Sequence, residues 1–350
     1  MLRSGGFLLA VLVVGVILTG AYVWTSMDTE LNVTADGQIY EVLPGATING
    51  ISANLAREQI LSGSPVAFRL YARATASKGH IKAGEYRLVP GMTGRTLLSL
   101  FRSGKVVRHE ITFVEGWTVR QWRQRLAAEP QVQQTLDGVQ DNALMSQLGK
   151  DDMSPEGQFF PDTYQYTRGE TDVSILARAH RRMIEVLEIE WARGTRNPVL
   201  ASPYQALILA SIVEKESGYE PDLPRIASVF LNRLSRNMRL QSDPTVIYGI
   251  DEFDGNLTRS DLARANDYNT YTVRGLPPTP ICNPGLASIR ATLNPEPSGF
   301  LYFVARGNGT SEFSETLEDH NAAVTRFQKA GRVENYQSAP ATQKNDQKNR

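Results

Sequence analysis

The chain opens on an unbroken apolar run. GGFLLAVLVVGVILTGAYVW, Gly5 to Trp24, holds 20 residues without a charge, enough to cross about 30 Å of hydrocarbon as a helix. Residues 25–38 turn polar and read as a linker. Three short apolar strands follow, EVLPGATI (Glu41–Ile48), RLVPGMTG (Arg87–Gly94) and TFVEGWTV (Thr112–Val119), each running into a Gly turn. A threonine stands two residues after each glycine, at Thr47, Thr93 and Thr118, where its hydroxyl can cap the helix that follows. Spacings of 46 and then 25 residues are too uneven for a solenoid. The pattern therefore predicts small strand–turn–helix modules, unless these are ordinary strand-to-helix turns.

From about Ser154 the period becomes helical. SILARAHRRMIEVLEIEWARG (Ser174–Gly194) is amphipathic, and YQALILASIVEKES and LPRIASVFLNRLSRN read as two further helices separated by GYEPD. After Met238 come loops rich in Pro, Asn and Tyr, and GFLYFVARGNGTSEFS then reads as two strands about an R-G-N-G turn. Strands at both ends around a helical centre predict an α+β chain rather than an alternating βαβ one. Residues 331–350 carry little apolar content and read as a disordered tail.

One polar position breaks the apolar pattern. On a helix wheel of about 100° per residue with Leu209 at zero, Ile212 falls near −60°, Val213 near +40° and Glu216 near −20°. Glu216 thus lies within the stripe expected to face the core, whereas Glu214 falls near 140° and Lys215 near −120°. A carboxyl on an apolar face loses hydration, which raises its pKa. Such a group can hold a proton near neutrality and give it away. The alternative is that Glu216, close to the helix end, emerges into solvent.

Composition narrows the chemistry. The 350 residues include 37 acidic and 37 basic side chains, and that balance gives no reason to expect a nucleic-acid partner. Cys282 is the only cysteine, which excludes an intramolecular disulfide and C-x-x-C chemistry. His80, His109, His180 and His320 are scattered with no H-E-x-x-H pair, so no metal site and no cofactor are expected. No G-x-S-x-G elbow occurs. QSDPTVIYG supplies Gln241, Ser242, Asp243 and Thr245, and DYNTY supplies Tyr268, Asn269, Thr270 and Tyr271. Aromatic faces mixed with amides and hydroxyls suit sugars, although each residue alone is common turn chemistry. An isolated acid beside such loops suggests glycosidic bond cleavage.

Charge also orients the N-terminus. Arg3 precedes the apolar run and the next basic residue is Arg57, which places the first residues in the cytoplasm and the body outside. A cleaved signal peptide is the rival reading, but the run is long and lacks an A-x-A site.

ASIVEKES, ASVFLNRLSRNMRLQSDPTVIYG, YNTY, GLPPTPICNPG and LYFVARGNGTSEFSETLEDHN, in this order, resemble the endolytic murein transglycosylases. HIKAGEYRLVPGMT, FVEGWT and EGQFFPDTY fit the same pattern, so the resemblance runs from Gly5 to about Phe327. It implies a single-pass protein of the bacterial inner membrane with a periplasmic body, which cuts peptidoglycan strands internally between N-acetylmuramic acid and N-acetylglucosamine. The product ends would be 1,6-anhydromuramic acid, and nascent strands would be terminated or trimmed. The implied layout is a cytoplasmic stretch (1–4), a membrane helix (5–24), a linker (25–38), LysM-like glycan-binding modules (39–150), a catalytic domain (151–330) and the tail. The family's catalytic glutamate maps to Glu216. Gln241, Asp243, Thr245, Tyr268, Asn269 and Tyr271 would bind the sugars, with Asp243 alternatively capping a turn. Glu156 and Asp162 of EGQFFPDTY are weaker candidates. Penicillin-binding cell-wall synthases are the implied protein partners. Two other functions remain open: a hydrolase in which Asp243 or Glu214 activates water, and a non-catalytic glycan-binding scaffold.

Overall fold

The computed structural model describes residues 2–151, 153–195 and 197–330. The expected disordered tail lies outside the described residues. The chain is a mixed α and β protein whose contacts gather into two compact units. The first takes the chain as far as Glu110 and adds the short segments Gln131–Gln133 and Gln165–Glu170. The second holds Ile111–Pro130, Gln134–Tyr164 and the chain from Thr171 onward.

The first unit begins with α1 (Leu2–Asp28), followed by β1 (Gln38–Val42), α2 (Ile48–Arg57), α3 (Pro65–Ala74), β2 (Gly84–Leu88) and α4 (Gly94–Ser103). β1 and β2 pair antiparallel with Tyr40 opposite Tyr86, so the two helices between them close a strand–helix–helix–strand module. Phe101 of α4 stacks on Tyr40 and tilts against Tyr86, with Leu55, Phe68 and Leu97 packed around them. Thr47 caps α2, accepting from Gly50 N, and Thr93 forms a capping box with Thr96 on α4. The glycines of all three repeated phrases, Gly45, Gly91 and Gly116, share left-handed backbone with φ of 75°, 81° and 76°. The recurrence is thus one turn geometry that only glycine enters cheaply.

α1 keeps its apolar side chains exposed from Phe7 to Leu18 and then enters the core of this unit. Met27 is buried beside Gly94, Ser26 Oγ accepts from Ser64 N at 2.7 Å, and Leu31 is buried three residues past the helix. The stretch expected as a linker, 25–38, is mostly exposed, and two apolar residues, Met27 and Leu31, dock it on this unit.

β3 (His109–Thr112) pairs with β4 (Thr163–Tyr166). In the second unit come α5 (Val119–Ala127), α6 (Asp141–Gln147), α7 (Asp172–Arg193), α8 (Pro203–Glu216), α9 (Leu223–Ser235), α10 (Asp243–Tyr248), α11 (Arg259–Ala263), α12 (Leu286–Leu293), β5 (Tyr302–Ala305), β6 (Ser311–Ser314) and α13 (Leu317–Val324). Thr118 caps α5 in a box with Gln121. The third repeated phrase thus belongs to the second unit. The main division between the units falls after Glu110.

α8 is the axis of this unit. Every residue from Ala206 to Val213 is buried, with α7, α9 and α12 packed against it. A helix apolar on all sides belongs in a core's centre, so α8 has no single apolar stripe. Its last turn alone carries charge. β5 and β6 form the antiparallel C-terminal hairpin, Phe303 opposite Phe313.

Candidate active site

Glu216 is the final residue of α8, half-buried where that central helix surfaces. Ser217 ends the helix in extended backbone. Ser242, buried and last before α10, donates its hydroxyl to Glu216 Oε1 at 2.5 Å. Burial pushes the Glu216 carboxyl up to about 7; the Asp243 carboxylate adds to the rise, while the Ser242 hydrogen bond and the Arg233 guanidinium oppose it. A group in this state offers a proton and takes one back near neutral pH.

The turn that presents Ser242 is held in an unusual conformation. Gln241 adopts φ of 52°, a left-handed backbone that costs a non-glycine residue roughly 1 kcal/mol or more. Thr270 fixes it from both sides, its carbonyl accepting from Gln241 N at 3.1 Å and its hydroxyl from Ser242 N at 3.0 Å. Thr245 Oγ1 closes the set against Thr270 Oγ1 at 2.8 Å and donates to Ser242 O.

The expected sugar-binding residues divide into two layers. Gln241 and Asp243 are exposed, and Tyr268 and Tyr271 are half-buried. Tyr271 donates to Asp243 Oδ1 at 2.6 Å, and Tyr268 tilts against Tyr248 with its hydroxyl 2.9 Å from Thr279 Oγ1. Thr245 and Asn269 are fully buried and face the frame instead. Asn269 Nδ2 donates to the carbonyls of Asp261, Leu262 and Arg264, and its Oδ1 accepts from Tyr271 N. Both are expected to touch sugar, and here both are buried and bond the loops themselves; amides and hydroxyls serve a loop's own backbone as readily as a ligand.

The remaining candidate groups make contacts of their own. Glu214 Oε2 accepts from Gly285 N, and Lys215 Nζ donates to Gly116 O. Glu156 is buried, accepts from Val119 N at 3.1 Å and Tyr248 Oη at 3.2 Å, and is pushed up to about 7 mainly by burial. Asp162 is exposed and accepts from Thr163 N. Cys282 is buried with its thiol donating to Ser211 O, and burial raises its pKa well above the ordinary range. That thiol is a packing group.

Sequence reasoning gave no role to Arg233, which is buried on α9 and acts on Glu216 by charge. Ile226, Phe230 and Arg233 fall at helical spacing and are all buried. The same pattern test that singled out Glu216 on α8 would therefore have found it on α9.

Two clefts of about 500 and 570 Å³ open in this unit. The first lies by Ser202, Tyr204 and Ile208, at the start of α8, about 18 Å along the helix from Glu216. The second is lined by Glu115, Glu220, Leu286 and Arg290. Glu216 lines neither of these two clefts.

Comparison with known proteins gives a consistent assignment. The sequence profile of the YceG-like family matches residues 40–326. A Bacillus subtilis protein, endolytic murein transglycosylase, is 30% identical over 301 residues, covering 81% of this chain and 82% of its own length. A Streptococcus pneumoniae protein of the same name is 27% identical over 339 residues, and the match spans 85% of this chain but 60% of that longer relative. The crystal structure of a YceG-like protein from Listeria monocytogenes superposes with a TM-score of 0.54 at 29% identity, covering 83% of this chain and 99% of that one.

Proposed function

The chain belongs to the YceG-like family, and from that premise we propose that it is a peptidoglycan lytic transglycosylase with Glu216 as its single acid and base. The carrying observation is the carboxyl at the end of α8, pushed up to about 7 by burial and tied to Ser242 Oγ. The names of the relatives support the substrate class.

Glu216 protonates the bridging oxygen as the C1–O bond of N-acetylmuramic acid breaks. The C6 hydroxyl of the same sugar then attacks C1, and its proton returns to Glu216. The products are a 1,6-anhydromuramic end and a free 4-hydroxyl, with no water consumed. Because the nucleophile is intramolecular, high effective molarity replaces activation of water, and one carboxyl serves where glycoside hydrolases use two. Gln241, Asp243, Tyr268 and Tyr271 face the sugars; Thr245 and Asn269 hold the loops that carry them.

The candidate membrane span Gly6–Asp28 of α1, with an 18-residue stretch of mean hydropathy 2.4, supports an anchor in the inner membrane with the body in the periplasm. The strand–helix–helix–strand module supports the LysM-like reading of a glycan-binding unit. Anchored beside new glycan, the enzyme trims or terminates nascent strands, in reach of penicillin-binding synthases.

Digestion of purified peptidoglycan by wild type and Glu216→Gln, with products read by mass spectrometry, tests the reading. Wild type should yield ends one water lighter than reducing sugars, and the variant none. Reducing ends from wild type would make the protein a hydrolase, and cleavage by the variant would remove Glu216 from the chemistry.

A further inference from the structure

Arg233 is a buried cation without a carboxylate partner in ion-pair contact among the described residues. Its guanidinium is satisfied by neutral oxygens. Nε donates to Leu301 O at 2.7 Å; one terminal nitrogen donates to Leu240 O at 2.8 Å and, at 3.4 Å, to Arg239 O and Gln241 Oε1. The Tyr302 ring lies 5.2 Å from the guanidinium carbon. Isolated buried cations are expensive, and a leucine at this one position would avoid that cost. The fork does something leucine cannot: it ties Leu301 O to Leu240 O, two residues before Ser242, with longer contacts to Arg239 O and the Gln241 side chain.

We propose that Arg233 is the positioning residue of the catalytic acid, fastening the 239–241 turn so that Ser242 Oγ meets Glu216 and supplying the positive charge that supports the Glu216 carboxylate between proton donation and proton recovery. This rests on the reading of Glu216 as the acid. Ser242 donates to Glu216, Tyr271 donates to Asp243 next to Ser242, and the charges of Asp243 and Arg233 act on the Glu216 carboxyl. Arg233 in turn faces Tyr302 of β5 and Tyr271, and His320 of α13 stacks on Tyr302 at 5.2 Å. Of these, Asp243 makes the Glu216 carboxylate harder to form, while Arg233 and Ser242 make it easier. Planar five-donor geometry is specific to arginine, so a lysine keeps the charge and loses the fastening.

The full-length chain in detergent, as wild type, Arg233→Lys and Arg233→Gln, separates the two parts. Peptidoglycan turnover is followed from pH 5 to 9, and the Glu216 carboxyl is titrated by carbon NMR, which needs no turnover. Arg233→Gln should lower kcat at least tenfold and move both the alkaline limb and the NMR midpoint up by half a pH unit or more, since removing a cation favours the protonated acid. Arg233→Lys keeps the charge but loosens the Ser242 contact, so its midpoint should also move up, by less than in Arg233→Gln, while kcat falls. A slower Arg233→Gln with an unmoved midpoint reduces Arg233 to scaffolding and overturns the charge role. Wild-type kcat in Arg233→Lys overturns the fastening, and this arm decides the matter if the glutamine variant does not fold. A shifted NMR midpoint without any cleavage by wild type would instead sink the catalytic reading and leave the electrostatic link standing.

Discussion

Ser242 Oγ donates to Glu216 Oε1 at 2.5 Å across 26 positions of sequence, joining the end of a buried helix to a turn held in left-handed backbone. A hydroxyl donor favours the charged carboxylate and fixes its rotamer at once. Ser242→Ala should therefore raise the Glu216 pKa above about 7 and let the side chain swing. A hydrogen bond to a charged group contributes about 1.5–3 kcal/mol, so the alkaline limb of kcat should move up by about one unit or more, with turnover several-fold lower. A pH–rate profile superimposable on wild type would show that this contact has no part in setting the acid.

Glu156 couples protonation to stability. Its carboxyl has a folded pKa of about 7 against 4.5 for the free group, so the folded state holds the proton more tightly than the unfolded state. The resulting stabilisation is complete below pH 4.5 and disappears as pH rises through 7. Glu156→Gln keeps an acceptor for Val119 N and cannot ionise. It should melt near wild type at pH 4.5 and higher at pH 8, by a margin worth on the order of 3 kcal/mol at most. An equal difference between the two proteins at both pH values would contradict the buried-acid account.

The helices α7, α8 and α9 and the hairpin β5–β6 were legible because period and turn chemistry are local properties. The threonine caps were legible for the same reason, and Thr47, Thr93 and Thr118 each accept from the predicted first turn. The burial of Glu216 was expected from a stripe that does not exist, since α8 is buried on all sides; its position where the helix surfaces is what gives the carboxyl partial access. The role of Arg233 depends on carbonyls at Leu240 and Leu301 that are distant in sequence from each other, and no local pattern encodes that meeting. Thr245 and Asn269 show the limit of composition, since a side chain serving its own loop is of the same type as one serving a sugar.

Asn269 makes a sharp case of that distinction. Its Nδ2 holds three carbonyls between Asp261 and Arg264, and the residue is fully buried. Asn269→Ala leaves these acceptors without their donor, a loss of about 1–3 kcal/mol or more. Thermal unfolding should report it directly, with KM for glycan little changed at temperatures where the fold persists. A raised KM at unchanged melting temperature would return Asn269 to the sugar-contact layer.

Asp243 decides between two chemistries. It is exposed, receives the Tyr271 hydroxyl at 2.6 Å, and its charge helps keep the proton on Glu216. If Glu216 works alone and the muramic C6 hydroxyl is the nucleophile, Asp243→Asn removes one repulsive charge and nothing that reacts. The Glu216 pKa should then fall below about 7, moving the alkaline limb down in pH, opposite in sign to the serine and arginine variants. Cleavage should persist, within about tenfold of wild type at pH 5.5, with anhydro ends intact. If Asp243 instead activates water, the same variant removes a general base and cleavage should fall by about 10²–10⁴ at every pH. The pH profile and the product mass, taken on one variant, thus separate a carboxylate that tunes its neighbour from one that attacks through water.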